Sequence, residues 1–484
     1  MRRRDLAVIG LLFALPLIMF WAQTVGGRTL LPAENLYQYE PYAAYREQLG
    51  VPAVPHNHLL SDLVLQNMQW KAFIRESFAL GEVPLWNPHQ FSGIAFLAAG
   101  QQSTLYPFSV LYYMLPLSAA YGWFTVIQLW LAGVLMYGFA RFGLGISRTG
   151  GAAAGVIYQL SAFFVISAVF PMIIAAAAWL PLILWMIEWI VRGKRIILAL
   201  IVGAIALGCE ILAGHVEITY YTLIIAAYYA AARLLWLGLT TSPQNENLTP
   251  NPSPKGEGLQ QPADLLLASR QGGWGGRLRL VVGRGLLLLG MVLLGVALGA
   301  VQFIPTFEAA SGNFRSGSAS LQQVLDWAHP KRDVIQFLLP NFYGSPAQHG
   351  YVDVFANQYV DLTAQEVISA AGARITRVDW GLKNYVEGAL YVGILPLVLA
   401  AFAILLSLTP KRFVGTRNGA SDNLTPQPPL RKEERGSHPA RWTFALLALV
   451  ALTFMFGLPT YALLYYGFPG ISQLHSPFRW VFAL

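Results

Sequence analysis

The chain has little of what soluble enzymes are built from. Its single cysteine, Cys209, cannot form a disulfide within the chain, so no disulfide framework exists. Charged residues make up only 12% of the 484 residues, against roughly 25% in soluble domains. No glycine-rich loop ends in Lys-Ser or Lys-Thr, and neither His-Glu-x-x-His nor Cys-x-x-Cys occurs. The signatures of a phosphate-cradling loop, a zinc peptidase and a dithiol redox site are therefore missing. Asp353 and Asp361 fit no metal-ligand spacing and read as solvated loop acids.

What is present is apolar. Hydrophobic residues account for 55% of the chain and the mean hydropathy is +0.49, the range of a polytopic membrane protein. The net charge of +8 does not point to nucleic acid. The basic residues stand at the ends of apolar runs, where they orient a chain in a bilayer, so the partners expected first are membrane lipids.

Spanning about 30 Å of hydrocarbon takes about 20 apolar residues. Runs of that kind lie near 6–25, 117–140, 151–169, 172–191, 196–213, 216–237, 282–303, 386–408 and 442–460. The first follows Arg2–Arg4, lacks a small-x-small cleavage site and carries Phe20-Trp21 at its end. It reads as a retained helix rather than a cleaved signal peptide. Arg141 and Arg148, Arg192 with Lys194 and Arg195, Arg270 with Arg277 and Arg279, Lys411-Arg412 and Arg431-Lys432 all fall on the side of Arg2–Arg4. The positive-inside rule then puts the N-terminus in the cytoplasm and two long loops, 26–116 and 304–385, outside. The fold class expected is an all-α polytopic membrane protein in one transmembrane domain.

Two cytoplasmic segments, 239–280 and 409–441, carry similar inserts, NLTPNPSPKGEG from Asn247 and NLTPQPPLRKEERG from Asn423. Without apolar periodicity they cannot bury a core and are expected to be disordered. Their Asn-Leu-Thr sequons lie on the wrong side of the membrane for glycosylation. After Pro477 the chain has only FRWVFAL, which reads as the opening of a further apolar segment and of a chain truncated at its C-terminus.

The polar, aromatic-rich stretch from Ser61 to Phe96 stands apart between the membrane-length runs. From Asp62 to Leu80 it has neither Pro nor Gly and reads as a helix. At about 100° per residue, Asp62, Gln66, Gln69 and Glu76 form one stripe and Leu63, Trp70 and Ile74 a neighbouring one. That pattern belongs to a helix lying on the membrane surface. Gly81-Glu82-Val83-Pro84 ends it, and Trp86-Asn87-Pro88 reads as a turn with an aromatic anchor. Asp62 has two open readings, a helix cap or an acid facing a substrate.

Asp62, Gln66 four residues on, GEVPLWNPHQFSGIAF and the Tyr106-Pro107 lead-in to the next helix together resemble the bacterial YfhO-like membrane protein family. Gly214-His215-Val216-Glu217 resembles that family's Gly-His-x-Gln turn, with Glu217 in place of the amide. Gln302-Phe-Ile-Pro305-Thr-Phe-Glu308 resembles its Gln-x-x-Pro-x-x-Glu helix exit, and Tyr385-Val-Glu387-Gly to Gly393 the start of the following helix. Phe468-Pro-Gly470 to Arg479 resembles its Pro-Gly and Pro-x-Arg stretch, with His475 where Arg is common. The likeness covers the chain apart from the two inserts.

The family is similar to GT-C-type glycosyltransferases. The resemblance implies a GT-C-like bundle of about 9–10 transmembrane helices in the bacterial cytoplasmic membrane, and transfer of a sugar from a polyprenyl-phosphate donor to a cell-envelope polymer or lipid on the outer face. It implies no resident cofactor and leaves the need for a divalent metal open. Such a transfer needs a carboxylate near the anomeric carbon or the acceptor hydroxyl, and cations for the departing phosphate. By this resemblance Asp62 is the catalytic acid, and Gln66, Trp86, Asn87, His215, Glu217, Glu387 and Arg479 are substrate-binding.

Each has a plainer reading. His215 also fits an interface histidine bonded to a carbonyl, Glu217 a carboxylate favoured at a helix start, and Glu387 and Arg479 side chains snorkelling to the headgroups. Glu188, Trp179 and Arg284 read as packing or anchoring residues, and Gly143-x-Gly145 and Gly283-x-Gly285 as helix-packing glycines. Two alternatives to the enzyme remain, a transporter or flippase of lipid-linked sugars and an inactive truncated relative.

Overall fold

The computed structural model describes residues 3–52, 55, 57, 60–240, 274–312, 319–346, 350–361, 365–368, 374–377, 385–386, 389–408, 440–474 and 476–484. They are mostly helical. The principal helices are α1 (Arg3–Met19), α2 (Met68–Ala79), α3 (Leu117–Gly138), α4 (Arg148–Gln159), α5 (Leu180–Val191), α6 (Ile196–Leu212), α7 (Val216–Thr240), α8 (Trp274–Ser311), α9 (Ile394–Leu408) and α10 (Ala440–Met455).

Among the described residues, four helical stretches are long and apolar enough to cross a membrane. They are Leu117–Gly143, Pro171–Val191, Val216–Thr240 and Gly275–Ser311. A fifth, Arg148–Gln159 with Ala162–Val169, is bent by 40° at the break between its halves. The remaining expected runs form shorter helices, for local reasons. The run at 6–25 carries Pro16 inside α1 and breaks at Phe20. The run at 386–408 becomes helical only from Ile394, after Gly393 at φ +95°. The run at 442–460 stops at Met455, before Gly457 at φ +60° and Pro459.

The bundle is helical as expected, and strands are confined to the loops. Three two-stranded antiparallel hairpins occur there, β1 (Trp86–Asn87) with β2 (Ile94–Ala95), β3 (Gly350–Asp353) with β4 (Gln358–Asp361), and β5 (Gln365–Ile368) with β6 (Arg374–Arg377). The expected inserts at 239–280 and 409–441 lie largely outside the described residues. At their margins α7 continues to Thr240, α8 begins at Trp274 and α10 begins at Ala440.

Small residues set the closest helix packing. Gly203 and Gly208 of α6 lie under Met291 and Leu298 of α8, while Gly295 and Gly299 of α8 lie under Leu207 and Ile211 of α6. Where lipid offers no hydrophobic drive for helices to associate, close backbone approach supplies the dispersion contacts that hold them. The opposite side of α8 exposes Leu286, Leu289 and Leu293, as a lipid-facing surface requires. One large apolar core runs through the bundle, and a satellite of Trp70, Ile74 and Phe96 sits beneath α2.

The two ends of the bundle differ. At one end the loop after β2 abuts the turn between α6 and α7, where Ser103 Oγ donates to the Ala213 carbonyl at 2.7 Å. Gly214, at φ +83°, lies so close to the Gly100 carbonyl that any Cβ would overlap it. Gln302 Nε2 of α8 donates to the Leu97 carbonyl at 2.7 Å, which holds the same loop from a third side. At the other end are ion pairs built on buried carboxylates. Arg148 Nε and the Tyr137 hydroxyl both donate to Asp5 Oδ1, at 2.9 and 2.7 Å, and Glu188 is clamped between Arg192 and Arg233.

Candidate functional site

The segment around α2 folds largely as its periodicity predicts. Leu63, Trp70 and Ile74 are buried, Asp62, Gln69 and Glu76 are exposed, and Gln66 is half-buried. The departure is in the first turn. Leu63–Asn67 is π-helical and only Met68–Ala79 is α-helical, so one residue more than usual is wound into that turn. Asn67 thereby turns inward, where its Oδ1 accepts from the Tyr121 hydroxyl at 2.7 Å. Asp62 precedes this turn and its side chain makes no capping hydrogen bond. The cap reading of Asp62 therefore has no bond behind it.

Gly81, at φ +78°, ends the helix, and the Glu82 N–H returns to the Ser77 carbonyl at 2.9 Å. In the hairpin that follows, Asn87 is buried, and its Oδ1 accepts from the His89 N–H at 2.9 Å. Its Nδ2 donates to Gln90 Oε1, which also accepts from Trp70 Nε1 at 2.9 Å and so ties the turn to α2. Trp86 is exposed, with its ring lying over Gly93, where a Cβ would collide with it. Asn87 braces the turn, while Trp86 remains open to a ligand.

A second group assembles where α7 starts. Glu217 and Arg479, 262 residues apart in sequence, form an ion pair between Arg479 Nη1 and Glu217 Oε2, with side chains 11% and 15% exposed. The Tyr221 hydroxyl donates to Glu217 Oε1 at 2.8 Å and lies 3.2 Å from the Ser476 carbonyl. The Tyr220 hydroxyl donates to the Pro469 carbonyl at 2.6 Å. The last stretch of the chain is thus fastened to the first turn of α7. A carboxylate there also suits the positive end of the helix dipole.

His215 is buried just before α7, and its Nδ1 accepts from the Ile218 N–H at 3.2 Å. Burial, and then the charge of Arg479, hold its pKa well below the ordinary histidine range. It caps the helix as a neutral ring with the proton on Nε2. Neutral imidazole offers a phosphate a hydrogen bond but no charge, which leaves Arg479 as the cation of this group. Glu387 lies outside the described residues.

Three buried polar features carried no expectation from the sequence. Lys71 of α2 is buried, donates from Nζ to the Gln102 carbonyl at 2.5 Å and stands 4.4 Å from the centroid of the Tyr112 ring. Burial pushes its pKa down to about 7. The sequence held a signal for it, since Lys71 precedes Ile74 by three positions and so falls on the buried side of α2. Glu210, near the end of α6, is fully buried beside the Thr222 hydroxyl of α7. His329 and Asp333, four residues apart around Pro330, are buried together in the loop after α8.

The chain matches no family model, no curated protein and no solved structure. What the site can do therefore rests on its own chemistry. The structure joins Glu217, Arg479 and His215 into one cluster, and holds Trp86 and Asn87 with α2 in another. Asp62 and Gln66 stand at the head of that second group. No described hydrogen bond or ion pair connects the two groups directly. The loop of residues 97–104 touches both, through Lys71 on one side and the Gly214 turn on the other. Among the described residues, no three His, Cys, Asp or Glu side chains come together in a group able to hold a metal.

Proposed function

We propose that this protein is a GT-C-type membrane glycosyltransferase of the YfhO-like kind, with about 9–10 transmembrane helices. It moves a sugar from a polyprenyl phosphate to a cell-envelope polymer or lipid on the outer face of the bacterial cytoplasmic membrane. The observation that supports this reading most is Asp62. It is an exposed carboxylate, without a capping bond, at the head of a helix whose apolar side is buried. Such a group is available to a substrate lying along the membrane surface. Arg479 supplies the positive charge that a departing phosphate needs, with Glu217 and Tyr221 fixing its position.

The test is transfer from radiolabelled polyprenyl-phosphate hexoses to cell-envelope acceptors by the purified protein in lipid vesicles. Wild type should transfer label, and Asp62→Asn should lower the rate about a hundredfold or more, the scale of a lost group that stabilises transition-state charge. Equal transfer by both proteins would remove Asp62 from the role.

A second reading, a transporter of lipid-linked sugars, is favoured by Glu210, because a carboxyl fully buried in an apolar helix is costly unless it serves transport or binding. Movement of labelled donor across vesicles with no transfer of sugar would support it over the enzyme.

A further inference from the structure

His329 and Asp333 form a pair that neither the motifs nor the ion pairs above account for. His329 precedes a short 3-10 helix, Lys331–Phe337, and Pro330 starts that helix so that Asp333 comes back under the imidazole. The His329 N–H bonds to the Met455 carbonyl at 2.9 Å, which fixes the loop to the end of α10. The ring lies between Phe456 and Phe478, at centroid distances of 6.0 and 6.2 Å. Both side chains are withdrawn from solvent, at 5% and 1% exposure.

Three polar atoms of this pair are buried without a hydrogen-bond partner among the described residues: His329 Nε2 and both carboxylate oxygens of Asp333. Asp333 Oδ2 lies 3.6 Å from His329 Nδ1, within ion-pair range and beyond a formed hydrogen bond. Its other oxygen has Arg332 Nε at 3.9 Å. Buried polar atoms are nearly always satisfied, and leaving one unbonded is costly. A carboxylate on the Nδ1 side favours the tautomer with the proton on Nδ1, which leaves the Nε2 lone pair free to accept. Contacts of this kind are commonly long in substrate-free proteins and tighten around a ligand.

The pair also sits beside the cluster already described. The Arg479 guanidinium is 5.8 Å from the centroid of the Phe478 ring, the same ring that His329 meets edge-on. A hydroxyl reaching His329 Nε2 would thus lie one aromatic ring away from the cation assigned to the phosphate. Phe456 and Phe478 give the His329 ring an apolar setting, in which its interaction with the Asp333 charge is stronger than in water.

We propose that His329, held by Asp333, is the base that takes the proton of the acceptor hydroxyl. This rests on the glycosyltransferase reading and assigns a step within it. As the acceptor oxygen bonds to the anomeric carbon, its proton passes to His329 Nε2. The bond from that carbon to the donor phosphate breaks, and its electron pair leaves with the polyprenyl phosphate. The imidazolium then returns its proton to the released phosphate or to water. Asp62 is left to face the positive charge that develops on the sugar, and Asp333 is a positioning residue.

Two measurements test this. In the vesicle assay, His329→Gln should lower the turnover rate about a hundredfold with little change in KM. Asp333→Asn should lower the rate less. Wild-type transfer with His329→Gln equally active would overturn the proposal. The second measurement needs no transfer: ¹⁵N-histidine NMR of the protein in micelles, with the His329 signal identified by its loss in His329→Gln. A neutral ring protonated at Nδ1, changed by Asp333→Asn, supports the poised base, and a ring protonated at Nε2 overturns it. If wild type transfers no sugar, the glycosyltransferase reading fails by itself, and the tautomer alone then decides whether the pair is poised to accept a proton.

Discussion

Replacing Glu188 by alanine should destabilise the protein by about 3–5 kcal/mol, the cost of removing one partner from a buried ion pair. Glu188 is buried in α5, and Arg233 of α7 donates to both of its oxygens, from Nε to Oε2 and from Nη2 to Oε1, each at 2.8 Å. The Tyr229 hydroxyl donates to Oε2 at 2.8 Å, and Arg192 Nε lies 2.5 Å from Oε1. Arg233 is itself buried, so alanine at 188 strands a guanidinium inside the bundle with its two charge-assisted bonds gone. Thermal unfolding in micelles should show a lowered midpoint for Glu188→Ala. Glu188→Ala combined with Arg233→Met should recover much of the loss, since an ion pair replaced as a whole by apolar groups often costs little. A double variant no better than the single one would mean that the two residues do not act as a pair.

That clamp also marks how far the sequence could be read. Its residues stand at the end of the bundle where basic residues accumulate, and Glu188 reads from sequence as an anchoring residue. Its partner Arg233, 45 positions away, is not legible, because nothing local records which face of α7 meets α5. The same holds for Glu217 and Arg479. Both can be singled out from their motifs, but their pairing is a tertiary fact carried by the chain's return past α7. Local features fare better. The buried stripe of Leu63, Trp70 and Ile74 and the stop at Gly81 follow directly from spacing and turn chemistry. The π-helical turn at Leu63–Asn67 does not, since it depends on drawing Asn67 inward to Tyr121, 54 residues on. Helix continuity is less legible than apolar length. Apolar runs continue through Pro16, through the Leu160–Ser161 break and past Gly393, places where hydropathy is unchanged but the helix is interrupted. His329 and Asp333 carried a usable signal in their four-residue spacing, and it is the absence of apolar periodicity in that loop that hides it.

Lys71→Met should raise stability at pH 6–7, with the gain disappearing as the pH approaches 10.5. Lys71 sits on the buried side of α2, has a carbonyl and the face of Tyr112 as its partners among the described residues, and has its pKa pushed by burial from the ordinary 10.5 down to about 7. Between those values the unfolded chain holds a proton on this amine that the folded protein has released. Folding is therefore penalised throughout that window, and stability rises with pH from about 7 to 10.5 before levelling. At about 1.4 kcal/mol per pH unit, the full effect is roughly 5 kcal/mol, an upper bound because the carbonyl and ring contacts favour the charged form. Below about pH 7 both states are protonated, and the whole penalty is present and constant. Methionine keeps the length and apolar stem of the side chain and removes the amine, so the variant should be free of this pH dependence. The measurement is the difference in unfolding midpoint between variant and wild type across that range, which cancels the tyrosines that titrate in both. A difference that stays constant with pH would show that Lys71 keeps its ordinary titration in the folded protein. A variant less stable than wild type at every pH would show instead that the bond to Gln102 outweighs the cost of burying the amine. In that case Lys71 would be the tie that holds α2 against the loop reaching Gly214, and so the link between the two halves of the candidate site.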